Sequence, residues 1–242
     1  MGENERKQKH FVLVHGLGHG GWCWYKLKPV LESAGHKVTV LDLAASGIKP
    51  DQIEDIHTFS HYSKPLLDLL ASLAPTETIV LVGHSFGGMT IALAIDKFPE
   101  KISFAVFLAA FVPDTHHRPS YVLEQFHDGW TARSRKLEAK RRRFLVPSFC
   151  PRRCINSAPL RKGSLFLEEL SEAQNFPKEG YGSASCAYIV CSGDLAIPKE
   201  YQQWMIQNAG IDIVREINGA DHMAMLSKTQ DLCSTLLEIT DN

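Results

Sequence analysis

Three side chains far apart in the chain, Ser85, Asp194 and His222, are of the types that together cleave acyl bonds. Ser85 lies in Gly83-His84-Ser85-Phe86-Gly87, a G-x-S-x-G pattern, between TIVLVGH and GGMTIALAI. A serine hydroxyl attacks poorly until a neighbouring base takes its proton. With an apolar strand before it and a helix after it, Ser85 would occupy the sharp turn that exposes a nucleophile. The base should follow late in the chain, and His222, in GADHMAML, is the only histidine after residue 127. The acid should sit in a loop after a late strand and hold the other imidazole nitrogen. Asp194, in YIVCSGDLAIP, fits best. Asp114, in AAFVPDT, is the runner-up. Asp221 adjoins His222 too closely to orient it, and Asp212 opens a strand at its amino end.

Acyl transfer also needs donors for the oxyanion. One is expected from the N–H of Phe86, directly after the nucleophile, and the other from the loop HGLGHGGW, with Leu17 as the donor. Gly16 and the other glycines of that loop let the backbone approach a substrate carbonyl. Substrate contacts are expected at Gly16, His19, Trp130 and Met223, and supporting hydrogen bonds from His19 and His84. No H-E-x-x-H or P-loop pattern appears, and GLGHGG departs from a dinucleotide loop because it runs into WCWY, with Asp42 an uncompelling ribose partner. No metal or cofactor is expected.

The elements needed to position these groups alternate along the chain. HFVLVHG, HKVTVLDL, TETIVLVGH, ISFAVFLAAF, CAYIVCSG and IDIVREING read as six strands. WYKLKPVLESAG, YSKPLLDLLASL, SFGGMTIALAIDKFPEK, KEYQQWMIQNAG and MLSKTQDLCSTLLEIT read as helices between and after them. Strands separated by helices imply right-handed crossovers and a mostly parallel sheet, with the site at the strands' carboxyl ends. The alternation stops over 112–178, which reads as a cap inserted between two stretches of core, 1–111 and 179–242.

The 242 residues suffice for one such domain, and a net charge of −1 gives no general pull toward nucleic acid or anionic membrane. The basic run Lys140 to Arg143 lacks interleaved aromatics and reads as a solvated surface. No apolar run is long enough to span a membrane, and the polar opening MGENERKQKH lacks a signal peptide's apolar core. With six scattered cysteines, a cytoplasmic protein with reduced thiols is expected. Its partner would be a small-molecule ester, and a homodimer is compatible with the sequence.

Several long stretches are similar to one family. KHFVLVHGLGHGGWCWYKLKPVLESAGHKVTVLDLAASGI, VLVGHSFGGM, FPEKISFAVFLAAFVPD and EINGADHMAML resemble the plant methylesterases of the α/β-hydrolase fold. The resemblance covers about 9–130 and 158–240. It implies a triad of Ser85, Asp194 and His222, and hydrolysis of methyl esters of small hydrophobic metabolites such as phytohormones or alkaloids. GIKPDQIEDIHTFSHYSKPL looks most like the alkaloid esterase branch. Related hydroxynitrile lyases carry lysine where this chain has Met223 and threonine where it has Gly16, and methylketone synthases lack the serine. Lyase activity, or ligand binding with little turnover, are the alternatives. The chain departs from the family over 131–157, where TARSRKLEAKRRRFLVPSFCPRRCINS is shorter and arginine-rich.

Overall fold

A computed structural model of the chain describes residues 8–126 and 160–241. Apolar, β-branched runs form six strands: β1 His10–Val14, β2 Lys37–Val40, β3 Ile79–His84, β4 Ile102–Leu108, β5 Cys186–Cys191 and β6 Ile213–Ile217. They pair in the order β2-β1-β3-β4-β5-β6. Every pairing is parallel, so the sheet is wholly parallel and not merely mostly so. Parallel neighbours require crossovers, and helices provide them: α1 Leu27–Ser33, α2 Phe59–Ser72, α3 Gly87–Lys97, α4 Tyr121–Gln125, α5 Leu167–Glu172 and α6 Lys199–Ala209.

The strands read as near-continuous apolar runs because both faces of the sheet are covered. Val12, Val14, Leu81 and Phe107 face α2, α3 and α6, joining Leu66, Met89 and Met205 in one core cluster. Phe11, Leu13, Val82 and Leu108 face the opposite side, against Leu27 and Leu31 of α1 and the C-terminal helix residues Leu232 and Leu236. The single helix expected over the C-terminus is two, α7 Ala224–Ser227 and α8 Thr229–Asp241. Lys228 stands between them outside the helical region, at φ −134° and ψ 43°. Asp221 accepts from the Met223 N–H at 3.0 Å and the Ser227 hydroxyl at 2.7 Å, tying the first turn back to its own loop.

The strand order reverses direction between β1 and β3, and a parallel sheet opens a crevice at its carboxyl ends there. The loops after β1 and β3 carry Gly16, Leu17, Ser85 and Phe86. Beyond β4, three buried tyrosines anchor the outgoing chain. Tyr188 donates to the Ala110 carbonyl at 2.8 Å, Tyr181 to Pro113 at 2.8 Å and Tyr201 to Val122. Burial pushes the pKa of all three hydroxyls up, so they remain donors. The chain is next described from Leu160. The Arg161 N–H donates to the Gly18 carbonyl at 2.9 Å, and its guanidinium to the carbonyls of Lys49 and Asp51. Of the stretch 112–178 read from the sequence as a cap, 127–159 lies outside the described residues, and Trp130 with it.

Candidate active site

The turn after β3 is forced into an uncommon conformation. Ser85 has φ +55°, a left-handed value that costs a non-glycine residue of order 1 kcal/mol or more. Its carbonyl accepts from the N–H groups of Gly88 at 3.0 Å and Phe111 at 3.1 Å, and its own N–H donates to Leu108 at 3.3 Å. These bonds hold the strained turn from both sides. At Gly87 a Cβ would lie 2.6 Å from the His15 carbonyl oxygen, so α3 can pass the end of β1 only with glycine there. Alone among residues 79–92, Ser85 is not buried. The strand and helix are sealed, and the turn presents one hydroxyl to the crevice.

Asp194 and His222 meet under the same face. Asp194 follows β5 directly, and its Oδ1 accepts from the N–H groups of Ala196 at 2.7 Å and Ile197 at 3.0 Å. The other oxygen, Oδ2, accepts from His222 Nδ1 at 2.7 Å. Both residues are buried. With Nδ1 committed as a donor, the neutral imidazole keeps its lone pair on Nε2, the form a general base requires. Gln202, from α6, pins the acid's loop from below. Its amide accepts from the Cys191 N–H at 3.1 Å and donates to the Ile197 carbonyl at 2.7 Å. No local pattern in the sequence marks Gln202.

The other aspartates have separate tasks. Asp114 accepts from the N–H groups of His116 and His117 and from the His117 imidazole, closing its own loop. Asp42 accepts from the N–H groups of Gly21 at 2.7 Å and Ile48 at 3.0 Å, fastening the loop after β2 to the loop after β1. Asp221 serves α7.

The loop after β1 is built by histidines that burial keeps neutral. His15 donates from Nδ1 to the Gly16 carbonyl at 2.8 Å and accepts on Nε2 from the Leu43 N–H at 3.1 Å. Desolvation lowers its pKa to about 4. His19 donates to the Leu17 carbonyl at 2.8 Å and stacks on Trp22; burial, and then the neighbouring His222, lower its pKa. Among the described residues, the N–H groups of Leu17 and Phe86 donate to no other backbone group. Gly16 sits against Ser85: a Cβ there would fall 2.7 Å from Ser85 Cβ and 3.2 Å from His84 Nδ1. A threonine in its place would displace one of them. Met223 is fully buried in the core cluster beside α1 and α8. Gly163 rests on the Leu17 side chain.

A wholly parallel sheet, a strained serine turn after β3 and a buried Asp–His pair at the same edge define an α/β-hydrolase. The chain belongs to that family: its model, described as "Alpha/beta hydrolase family", matches residues 11–235. Methylesterase 1 of Arabidopsis thaliana is 48% identical, covering 100% of this chain and 99% of that protein. Salicylic acid-binding protein 2 of Nicotiana tabacum is 47% identical, over 97% of this chain and 98% of that one. Among solved structures, polyneuridine aldehyde esterase superposes with a TM-score of 0.88 at 43% identity, covering 97% of this chain and all of that one.

Proposed function

We propose that the protein is a carboxylesterase that hydrolyses methyl esters of small hydrophobic plant metabolites through an acyl-enzyme. The observation that carries this reading is the buried Asp194–His222 pair at 2.7 Å, set beside a half-open Ser85 whose turn is otherwise sealed. The names of its relatives, methylesterase and aldehyde esterase among them, support the ester class.

In this reading His222 Nε2 takes the Ser85 proton as Oγ attacks the ester carbonyl. Asp194 stays ionised and stabilises the imidazolium. The N–H groups of Leu17 and Phe86 hold the oxyanion. Collapse breaks the C–OMe bond, His222 returns its proton to the leaving oxygen, and methanol departs. Water then attacks the acyl group with His222 again as base, releasing the acid. Gly16, His19, Trp130 and Met223 are assigned to substrate binding or its support, and 112–178 to a cap over the site. The protein is placed in the cytoplasm, in keeping with four free thiols among its described cysteines. Its assembly is proposed to be a homodimer, to be read by light scattering.

Purified enzyme should hydrolyse at least one of a panel of methyl esters (salicylate, jasmonate, indole-acetate and alkaloid esters). Ser85→Ala should abolish that rate by roughly 10⁵-fold or more. Retained hydrolysis in Ser85→Ala would overturn the mechanism. A protein that releases no methanol and resists a fluorophosphonate probe would instead be a binding protein. Met223 and Gly16 disfavour the lyase alternative, which cyanide release from mandelonitrile reads directly.

A further inference from the structure

His222 and Ser85 belong to strands that do not touch. β3 and β6 are separated by β4 and β5, so about 14 Å of sheet, at roughly 4.8 Å per strand, lies between them. The base's loop must therefore reach across two strand ends and hold its position there. One tie spans the gap at the residue before the nucleophile. His84, the last residue of β3, is fully buried, and its Nε2 lies 2.8 Å from the His222 carbonyl oxygen. A carbonyl only accepts, so Nε2 carries the proton.

The ring's surroundings explain why an imidazole, and not an apolar ring, stands there. His84 packs 4.6 Å from the His222 ring and edge-on to Trp24 and His19. Its other nitrogen, Nδ1, is buried against Gly16 without a hydrogen-bond partner among the described residues. Phenylalanine would fill this aromatic niche and leave no orphaned nitrogen. What histidine adds is the single N–H to His222. Burial, reinforced by His222 and His19, keeps the ring neutral, so no second positive charge confronts the imidazolium that forms on His222 during turnover.

We infer that His84 is a positioning residue: its Nε2–H fixes the backbone of the general base and so sets the alignment of His222 with Ser85. The inference rests on the esterase reading. It adds a tie between the nucleophile's turn and the base's loop that neither the triad nor the oxyanion donors contain.

The test uses the full chain and the best substrate of the ester panel. His84→Phe keeps the ring shape and deletes the donor; His84→Gln keeps an N–H at similar reach. Turnover by His84→Phe is expected to drop about 10-fold or more, with KM within about 2-fold and fluorophosphonate labelling of Ser85 slowed in parallel. His84→Gln should recover at least a third of the loss on a logarithmic scale. If His84→Phe does not fold, His84→Met against His84→Gln makes the same comparison. A donor-less variant that is folded and turns over within about 2-fold of the parent would overturn the inference, as would a Gln variant no better than the Phe or Met variant. An inactive, unlabelled parent enzyme would instead overturn the esterase reading, so the two failures are distinguishable.

Discussion

Asp114 and Asp194 make nearly the same hydrogen bonds and should do different things. Each follows a strand, each accepts on Oδ1 from the N–H groups two and three residues ahead, and each accepts on Oδ2 from a histidine Nδ1, at 2.8 Å for Asp114 and 2.7 Å for Asp194. The difference lies in the histidine. His117 is three residues from Asp114, half-exposed and stacked on Tyr121 at 4.0 Å between ring centres. His222 is 28 residues from Asp194, and both side chains are sealed from solvent. A carboxylate–imidazole pair is thus common turn hardware. In the proposed mechanism it becomes chemistry where the histidine arrives from elsewhere and is buried at the sheet's carboxyl edge, beside the Ser85 turn.

The largest break in this comparison should come from Asp194→Asn, which leaves the turn bonds intact but removes the charge that fixes the His222 tautomer. Turnover in a steady-state assay is expected to fall about 10⁴-fold, with thermal stability little changed. Asp114→Ala should do the reverse. Losing the charged acceptor of its loop should cost about 2 kcal/mol, or roughly 4–8 °C in Tm, with turnover within a few-fold of the parent.

Acid sharpens the contrast on a smaller scale. Desolvation holds His15, His19 and His84 below the ordinary histidine value, so the unfolded chain binds protons that the folded chain refuses. Their contribution is complete above pH 6.5 and is lost as the pH falls from there, for His15 until about 4. Denaturant midpoints should fall steadily between about pH 7 and about pH 4.5, and His15→Gln should flatten the slope. His117→Ala should give the smallest effect, with activity within about 2-fold and Tm within about 2 °C, because exposed ion pairs contribute little.

Most of the candidate site is legible in the sequence because its signals are local. Gly87 announces the close approach of α3 to β1, and the strand-turn-helix around Ser85 is written in one contiguous stretch. The lateness of its strand then favours Asp194 over Asp114, although their immediate sequences, a strand followed by aspartate, are alike. What stays hidden depends on distant segments meeting. The His84 bond to His222 spans 138 residues, and Gln202 reaches Cys191 and Ile197 from a helix whose pattern looks merely amphipathic. The sheet's full parallelism is concealed because exposed β6 resembles an edge strand of either direction. The division of the last helix is concealed because no glycine or proline marks Lys228, where the backbone leaves the helical region.

The tyrosine anchors at Ala110, Pro113 and Val122 hold the chain leaving β4, and Arg161 holds a later stretch on the carbonyls of Gly18, Lys49 and Asp51. Under the proposed cap reading these anchors are fixed points, between which a different segment could be grafted while the sheet and its Asp194–His222 pair keep their register. Arg161 touches the same loop that, in the proposed mechanism, offers the Leu17 N–H. In that mechanism, a graft that strained this contact would be felt first as a misaligned oxyanion donor, and only afterwards as an altered choice of ester.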